Sequence, residues 1–254
     1  MNKQMKIDQL KLEIYPDSIQ LGKAAAQFVT KHLKEAIDTQ GKARMILATG
    51  TSQFTFLEAL KKENLDWSKV SVFHLDEYIG LPPTHPASFR KYLKERILDE
   101  LKPGQVHFLA GDAEDIDKEM GRYSSLLKTQ PVDIACIGIG ENGHLAFNDP
   151  PVADFEDPLT VKIVELDEDC RKQQFGEGWF PSLDKVPRTA LTLTIPAIMS
   201  ARIISCVVPE ARKARAVKNS LYNEIETSCP ASILRRHPHA SLFLDEESSA
   251  ELLA

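Results

Sequence analysis

The chain has 254 residues, 31 Lys and Arg against 37 Asp and Glu, a formal net charge of −6 and a hydrophobic fraction of 43%. That fraction fills a sizeable core and excludes a disordered chain, while the acidic balance argues against nucleic-acid binding, which calls for a basic surplus or tail. No run reaches the roughly 18 apolar residues of a membrane span, and the opening MNKQMKIDQLKLEIYPDS alternates charged and apolar residues without the apolar block of a signal peptide.

The first strong helical pattern runs from Ser18 to Thr39, with Ala25, Val29, Leu33 and Ile37 on one face, Asp17 as N-cap and Gly41 past the end. Arg44–Ala48 reads as a strand, followed by the small-residue turn Thr49-Gly50-Thr51-Ser52 and a helix through Leu60. Val70–Leu75 reads as a strand ending at Asp76, Phe89–Leu101 as a helix, and Asp133–Gly138 as a nearly all-apolar strand. Ala190–Thr194 then leads into a helix at Ala197–Ala201 with Pro196 in its first turn. Arg202–Val208 precedes a helix over Glu210–Leu221, and Ser241–Leu244 is the last strand, followed by a short acidic helix start. Strands alternating with helices predict an α/β fold: a doubly wound, mostly parallel sheet with helices on both faces, a Rossmann-like three-layer sandwich. No repeat or linker interrupts residues 1–254, which read as a single domain. Cys136, Cys170, Cys206 and Cys229 lie far apart without a C-x-x-C pair, the usage of reduced thiols in a cytoplasmic protein.

In an open parallel sheet the C-terminal ends of the strands share one edge, where ligands bind. Thr49–Ser52, Asp76, Gly138–His144, Glu210–Lys213 and Asp245 are therefore expected on one rim. Thr49-Gly50-Thr51-Ser52 fits both a capped turn and an anion-binding loop, but not a Walker loop, since no G-K-[ST] follows. Gly138-Ile-Gly140-Glu-Asn-Gly143 matches G-x-G-x-x-G, yet Pro150-Pro151 leaves no room for the helix that a dinucleotide site needs, so nicotinamide and flavin cofactors are excluded. Asp76 is either a loop cap or, partly desolvated, a general base; its arrival beside His144 favours the second. Lys213, near the start of a helix, marks either a solvated basic face or an anionic partner. His74, Asp76, Glu77, His85, His237 and His239 do not show catalytic-metal spacing, so no metal is expected, and no G-x-S-x-G elbow supports a serine hydrolase.

Taken together, these segments resemble the glucosamine-6-phosphate isomerase/deaminase family. The similar stretches are LATGTS at Leu47–Ser52, FHLDEYIGLPPTHPASF at Phe73–Phe89, GIGENGHLAFNDP at Gly138–Pro150, VPRTALTLTIPAIMSAR at Val186–Arg202, RKARAV at Arg212–Val217 and CPASILRRHP at Cys229–Pro238. They stand in family order and cover nearly the whole chain.

The resemblance implies a small phosphorylated sugar as partner, no cofactor, and conversion of glucosamine-6-phosphate to fructose-6-phosphate and ammonia. It implies a phosphate held by Thr49, Gly50, Thr51, Ser52 and Lys213, with Ala146 lining the substrate site, His144 assisting ring opening and Asp76 taking the C2 proton. The chain departs from the family pattern at Asn142, usually Asp, and at Asp149, usually Glu; Asn142 is expected to hydrogen-bond the imidazole of His144. No residue matches the family's phosphate-binding arginine, and Arg171 or Lys172 is the expected substitute. The alternatives are a 6-phosphogluconolactonase-like hydrolase, a non-deaminating isomerase and a sugar-phosphate sensor; a homo-oligomer is left open.

Overall fold

The structure is a computed structural model that describes residues 3–252. It opens with a hairpin, β1 (Lys3–Ile7) and β2 (Leu10–Tyr15), in which Leu10, Leu12 and Ile14 are buried. The alternation at the start of the chain is thus the period-two pattern of strands. Helix α1 (Ser18–Gln40) starts where the Asp17 carboxylate accepts the Gln20 N–H at 2.8 Å and stops at Gly41, whose φ of 78° lies in the left-handed region. Then come β3 (Ala43–Leu47), a 3₁₀ turn over Thr51–Gln53, α2 (Phe54–Leu60), β4 (Val70–His74) and β5 (Asp76–Tyr78). Helix α3 (Phe89–Leu93) continues through a π turn at Lys94–Leu98 into α4 (Asp99–Leu101). Next are β6 (Gln105–Val106), α5 (Ile116–Lys128), β7 (Ile134–Ile137), β8 (Val161–Glu165) and α6 (Glu168–Gly176). The chain closes with β9 (Thr189–Leu193), α7 (Ile195–Met199), β10 (Ile203–Val208), α8 (Ala214–Tyr222) and β11 (Ala240–Asp245).

Eight strands form one sheet in the order β1-β2-β11-β10-β7-β3-β4-β6, parallel throughout except for the β1–β2 hairpin. Consecutive side chains go to opposite layers: Ile46, Ala135 and Ile137 join the core under Tyr123 and Leu127 of α5, while Met45, Leu47, Ile134 and Cys136 join the core under Leu21, Val29 and Leu33 of α1. The doubly wound α/β sandwich expected from the alternation of elements is the architecture observed.

One feature departs from that expectation. The Val70–Leu75 strand leaves the main sheet at His74, and Asp76–Tyr78 joins a separate antiparallel sheet of order β5-β9-β8, pairing Asp76 with Thr192 and Tyr78 with Ala190. The segment around Ala190–Thr194 therefore belongs to this second sheet. A third core, built on Tyr78, Phe89, Phe147, Val164 and Phe180, fills the space behind it.

Glu77 anchors this second layer. Its fully buried carboxylate accepts from the Ser88 hydroxyl (2.8 Å), from the Phe89 and Arg90 backbone N–H groups (3.1 Å each) and from Arg90 Nε (3.1 Å), which closes off the start of α3. Burial pushes the Glu77 carboxyl up, and these donors offset only part of that rise. Arg90 also donates to Asp112 at 2.7 Å and to the Leu81 carbonyl at 2.8 Å. Arg90→Ala is expected to destabilise the protein by about 3–5 kcal/mol, because it strands a buried carboxylate. Urea unfolding measures this, and a loss below about 1 kcal/mol would mean that the pair does not anchor the layer.

Candidate functional site

A cleft opens at the C-terminal ends of the parallel strands. Ala48, Thr49, Gly50 and Ser52 enter it after β3, Leu75 and Asp76 between the two sheets, and Gly138, Ile139 and Gly140 after β7. His144, Ala146 and Phe147 follow from the same loop, Gln173, Gln174 and Glu177 come from α6 and its end, and Lys213 precedes α8. Of the residues expected on one rim, Thr49, Gly50, Ser52, Asp76, Gly138, Gly140, His144 and Lys213 are brought together. Asp245 is not: its carboxylate accepts the backbone N–H groups of Glu210 (3.1 Å) and Ser248 (2.7 Å), so it fixes a loop. Thr51 turns outward, its hydroxyl accepting from Arg212 at 3.1 Å.

The loop after β7 is wound tightly around its histidine. The Gly140 N–H donates to the His144 carbonyl at 3.0 Å, and a Cβ at Gly140 would stand 2.2 Å from the imidazole, so only glycine lets the ring lie there. Gly143 turns the chain at φ 86°. His144 Nδ1 lies 2.8 Å from Oδ1 of Asp149, a close contact but not an aligned hydrogen bond. Asn142 does not hydrogen-bond the ring as expected. Its Oδ1 accepts the His144 backbone N–H at 3.0 Å, and its Nδ2 donates to Asp149 Oδ1 at 2.8 Å. An amide serves this arrangement because a side-chain acid facing Asp149 would set like charges together. Burial by itself would raise the Asp149 carboxyl; the His144 imidazole, the Asn142 amide and the Cys170 thiol together hold it below the usual carboxylate range.

Asp76 has a different environment. It is 6% exposed, no described residue donates a hydrogen bond to its carboxylate, and burial together with the nearby charge of Glu77 pushes its pKa well above the ordinary aspartate range. Lys213 is its cationic counterpart. The side chain is 3% exposed and lines the cleft, and it has no ion pair or hydrogen bond among the described residues. Burial, then the neighbouring Arg212, lowers its pKa. A buried ammonium with no direct ion pair among the described residues, in a cleft with two hydroxyls and the backbone of Gly50, is the physical signature of a pocket for an anion. Arg212 bridges the mouth, meeting Glu210 (2.6 Å), Glu141 (3.0 Å) and Glu177 (3.5 Å).

Arg171 is not in the cleft. Its Nη2 donates to the carbonyls of Leu183 (2.7 Å) and Val186 (3.1 Å), pinning the connection to β9, and this corrects its expected place at the phosphate. Gln173, Gln174 and Glu177 stand in the cleft instead, unanticipated from the sequence. The signal was present, since Cys170, Gln173, Gln174 and Glu177 are spaced i, i+3, i+4 and i+7, one helix face. Tyr78 holds Gln174 through a 2.8 Å hydrogen bond from its hydroxyl, while Gln173 and Trp179 each donate to Glu177 at 3.2 Å. The residues first weighed as metal ligands do not cluster among the described residues. His74 is completely buried, accepts the Leu109 N–H at Nε2, and is driven down to about 3 by burial. His85 accepts the Ala87 N–H, and His237 lies against the Ala201 carbonyl.

Comparison with known proteins agrees with this geometry. The family model described as glucosamine-6-phosphate isomerases/6-phosphogluconolactonase matches residues 16–243. The glucosamine-6-phosphate deaminase of Bacillus cereus (strain B4264) is 36% identical over 218 residues, spanning 86% of this chain and 81% of the relative, and that of Bacillus anthracis (strain A0248) gives the same values. Among solved structures, a monomeric glucosamine-6-phosphate deaminase of the NagB superfamily superposes with a TM-score of 0.87 at 30% identity, covering 97% of this chain and 99% of the other. The 6-phosphogluconolactonase of Trypanosoma brucei superposes with a TM-score of 0.75 at 19% identity over 99% of this chain and 100% of the other, which shows the shared fold. With its parallel sheet, its cleft and matches over most of its length, the chain belongs to the glucosamine-6-phosphate isomerase/6-phosphogluconolactonase family.

Proposed function

We propose that the chain, acting as one sugar-phosphate domain over residues 1–254, converts glucosamine-6-phosphate to fructose-6-phosphate and ammonia by aldose–ketose isomerisation with deamination. The observation that carries this reading is one cleft lined by an unbonded, desolvated carboxyl (Asp76), an imidazole held against a carboxylate (His144–Asp149) and a buried lysine without a counterion (Lys213). The substrate phosphate neutralises Lys213 and takes hydrogen bonds from Thr49, Ser52 and the backbone around Gly50. His144 moves a proton between ring and anomeric oxygens, while Asp149 orients the ring. Asp76 takes the C2 hydrogen as a proton, the electron pair forms the C1–C2 enolamine, and the proton returns at C1. Water then adds at C2, and the carbinolamine expels ammonia and leaves the ketone. The agreement with relatives named for this activity supports the same reading. Four free, buried thiols fit a cytoplasmic setting, and no helix among the described residues is long and apolar enough to cross a membrane.

Purified protein supplied with glucosamine-6-phosphate is expected to release fructose-6-phosphate and ammonia in equal amounts. Ketose without ammonia would make it a non-deaminating isomerase, and hydrolysis of 6-phosphogluconolactone in place of either product would make it a lactonase. Asp76→Asn is expected to abolish exchange of the substrate C2 hydrogen with deuterated water while sugar-phosphate binding stays within a few-fold; persistent exchange would remove Asp76 as the base.

The pH profile of kcat/KM follows from the two buried charges. Asp76 acts as its carboxylate, and its raised pKa means that activity falls on the acid side at a higher pH than an ordinary aspartate would give. Lys213 binds phosphate as its ammonium, and its lowered pKa means that KM rises on the alkaline side below the ordinary lysine value of 10.5. Lys213→Arg keeps the charge at all working pH values, so the alkaline limb is expected to move upward by at least one pH unit or vanish. An unmoved limb would show that another group sets it.

A further inference from the structure

Behind His144 lies a cluster that includes a thiol, Cys170, which proton transfer does not require. His144 Nδ1, a carboxylate oxygen of Asp149 and the Cys170 sulfur come within 4.8 Å of one another, and all three residues are buried. Two buried polar atoms of this group, His144 Nδ1 and Asp149 Oδ2, make no aligned hydrogen bond, although Nδ1 lies 2.8 Å from Asp149 Oδ1. Buried polar atoms without aligned partners are costly, and the Cys170 sulfur belongs to the same cluster. Asp149 Oδ1 is already engaged by Asn142, which orients the carboxylate and leaves Oδ2 available. One nitrogen, one oxygen and one sulfur at this spacing make a three-ligand set of borderline softness, suited to tetrahedral Zn²⁺ and poorly suited to the all-oxygen preferences of Mg²⁺ or Ca²⁺. Charge balances as well: a divalent ion, a carboxylate, a thiolate and a neutral imidazole sum to zero, the state that burial favours. A groove between the 141–142 turn and α6 is lined by Asn142 and Cys170, while His144 lines the cleft.

We propose that His144, Asp149 and Cys170 form a zinc-binding site in the wall of the cleft, through which Zn²⁺ reversibly inhibits the protein. On binding, the Cys170 S–H bond breaks, its proton passes to solvent, the sulfur becomes a zinc-bound thiolate, and the imidazole and carboxylate supply one electron pair each. Zinc then occupies the nitrogen that faces Asp149, which removes His144 from proton transfer. The inhibition, unlike the binding, rests on the deaminase reading.

The test separates the two. Metal-free protein titrated with Co²⁺ without substrate is expected to bind one ion per chain with the intense visible absorption of a tetrahedral site and a near-ultraviolet thiolate-to-cobalt band, both displaced by Zn²⁺. Cys170→Ser, nearly isosteric, is expected to lose the near-ultraviolet band and weaken zinc binding by at least about 10-fold. His144→Gln, altered on the cleft side, is expected to weaken zinc binding as strongly if Cys170→Ser proves unstable. No stoichiometric cobalt binding, or a thiolate band that survives in Cys170→Ser through Cys136, Cys206 or Cys229, would overturn the site. In turnover assays zinc is expected to inhibit the parent protein reversibly with chelator and to lose at least 10-fold in potency against Cys170→Ser, each variant compared with its own metal-free rate. Binding without inhibition would overturn the regulatory half alone.

Discussion

Burying a charged side chain without a partner is among the most costly arrangements a fold tolerates, and around this cleft the chain does it for both signs. Glu77 and Asp149 are buried acids with partners: hydroxyl, backbone N–H and guanidinium donors for the first, an amide donor and an adjacent imidazole for the second. Asp76 and Lys213 are equally buried yet receive nothing comparable. Solvation withheld from these two groups leaves one an avid proton acceptor once ionised and the other a cation short of an anion. A substrate that carries an acidic C–H at one end and a phosphate at the other supplies what both lack. The satisfied acids hold the frame so that the unsatisfied pair cannot relax into pairing with their neighbours.

Much of this layout was legible in the sequence because parallel strands impose it. Once apolar runs and helical periods alternate, strand ends must share an edge, and the sequence alone therefore predicts Thr49, Gly50, Ser52, Asp76 and His144 on one rim. Helix α1 was readable to within a residue because periodicity and both caps, Asp17 and Gly41, agree. Elements whose partners lie far away in sequence were not readable. The end of the apolar run at Asp76 is legible, but nothing local shows that Asp76–Tyr78 forms a strand of a second sheet, which it does because β9 draws it away. Helix α6 is mostly polar and carries little of the apolar stripe by which helices announce themselves, so Gln173, Gln174 and Glu177 stayed hidden.

Polar residues at strand ends show the same limit. Asp76 and Asp245 follow apolar strands and look alike as letters. The first faces a cleft without a donor, while the second is consumed by the Glu210 and Ser248 N–H groups. Asn142 and Arg171 teach the complementary lesson: residue type suggested contact with the imidazole and with phosphate, but one amide holds Asp149 and one guanidinium holds the Leu183–Val186 carbonyls. Which partner a polar group takes is decided by the tertiary neighbour that reaches it first, and sequence spacing carries little of that information.

Backbone conformation supplies a last link between frame and site. Gly50 at φ 103°, Ala146 at φ 51° and Glu210 at φ 82° all occupy left-handed regions, and the last two do so with a Cβ, at a cost on the order of 1 kcal/mol each. All three flank the cleft or the Lys213 turn. Such conformations persist only where neighbouring bonds over-determine them, and here both Asp245 oxygens grip the Glu210 N–H while Asn148 Nδ2 holds the Leu145 carbonyl beside Ala146. With Arg212 tying Glu210 to Glu141 and Glu177 across the mouth, the loops that carry His144 and Lys213 are braced against each other. Rigidity of this kind keeps the buried lysine from pairing with the acids around it: if either loop relaxed, the cation would find an acid and the site would lose its reason to bind an anion.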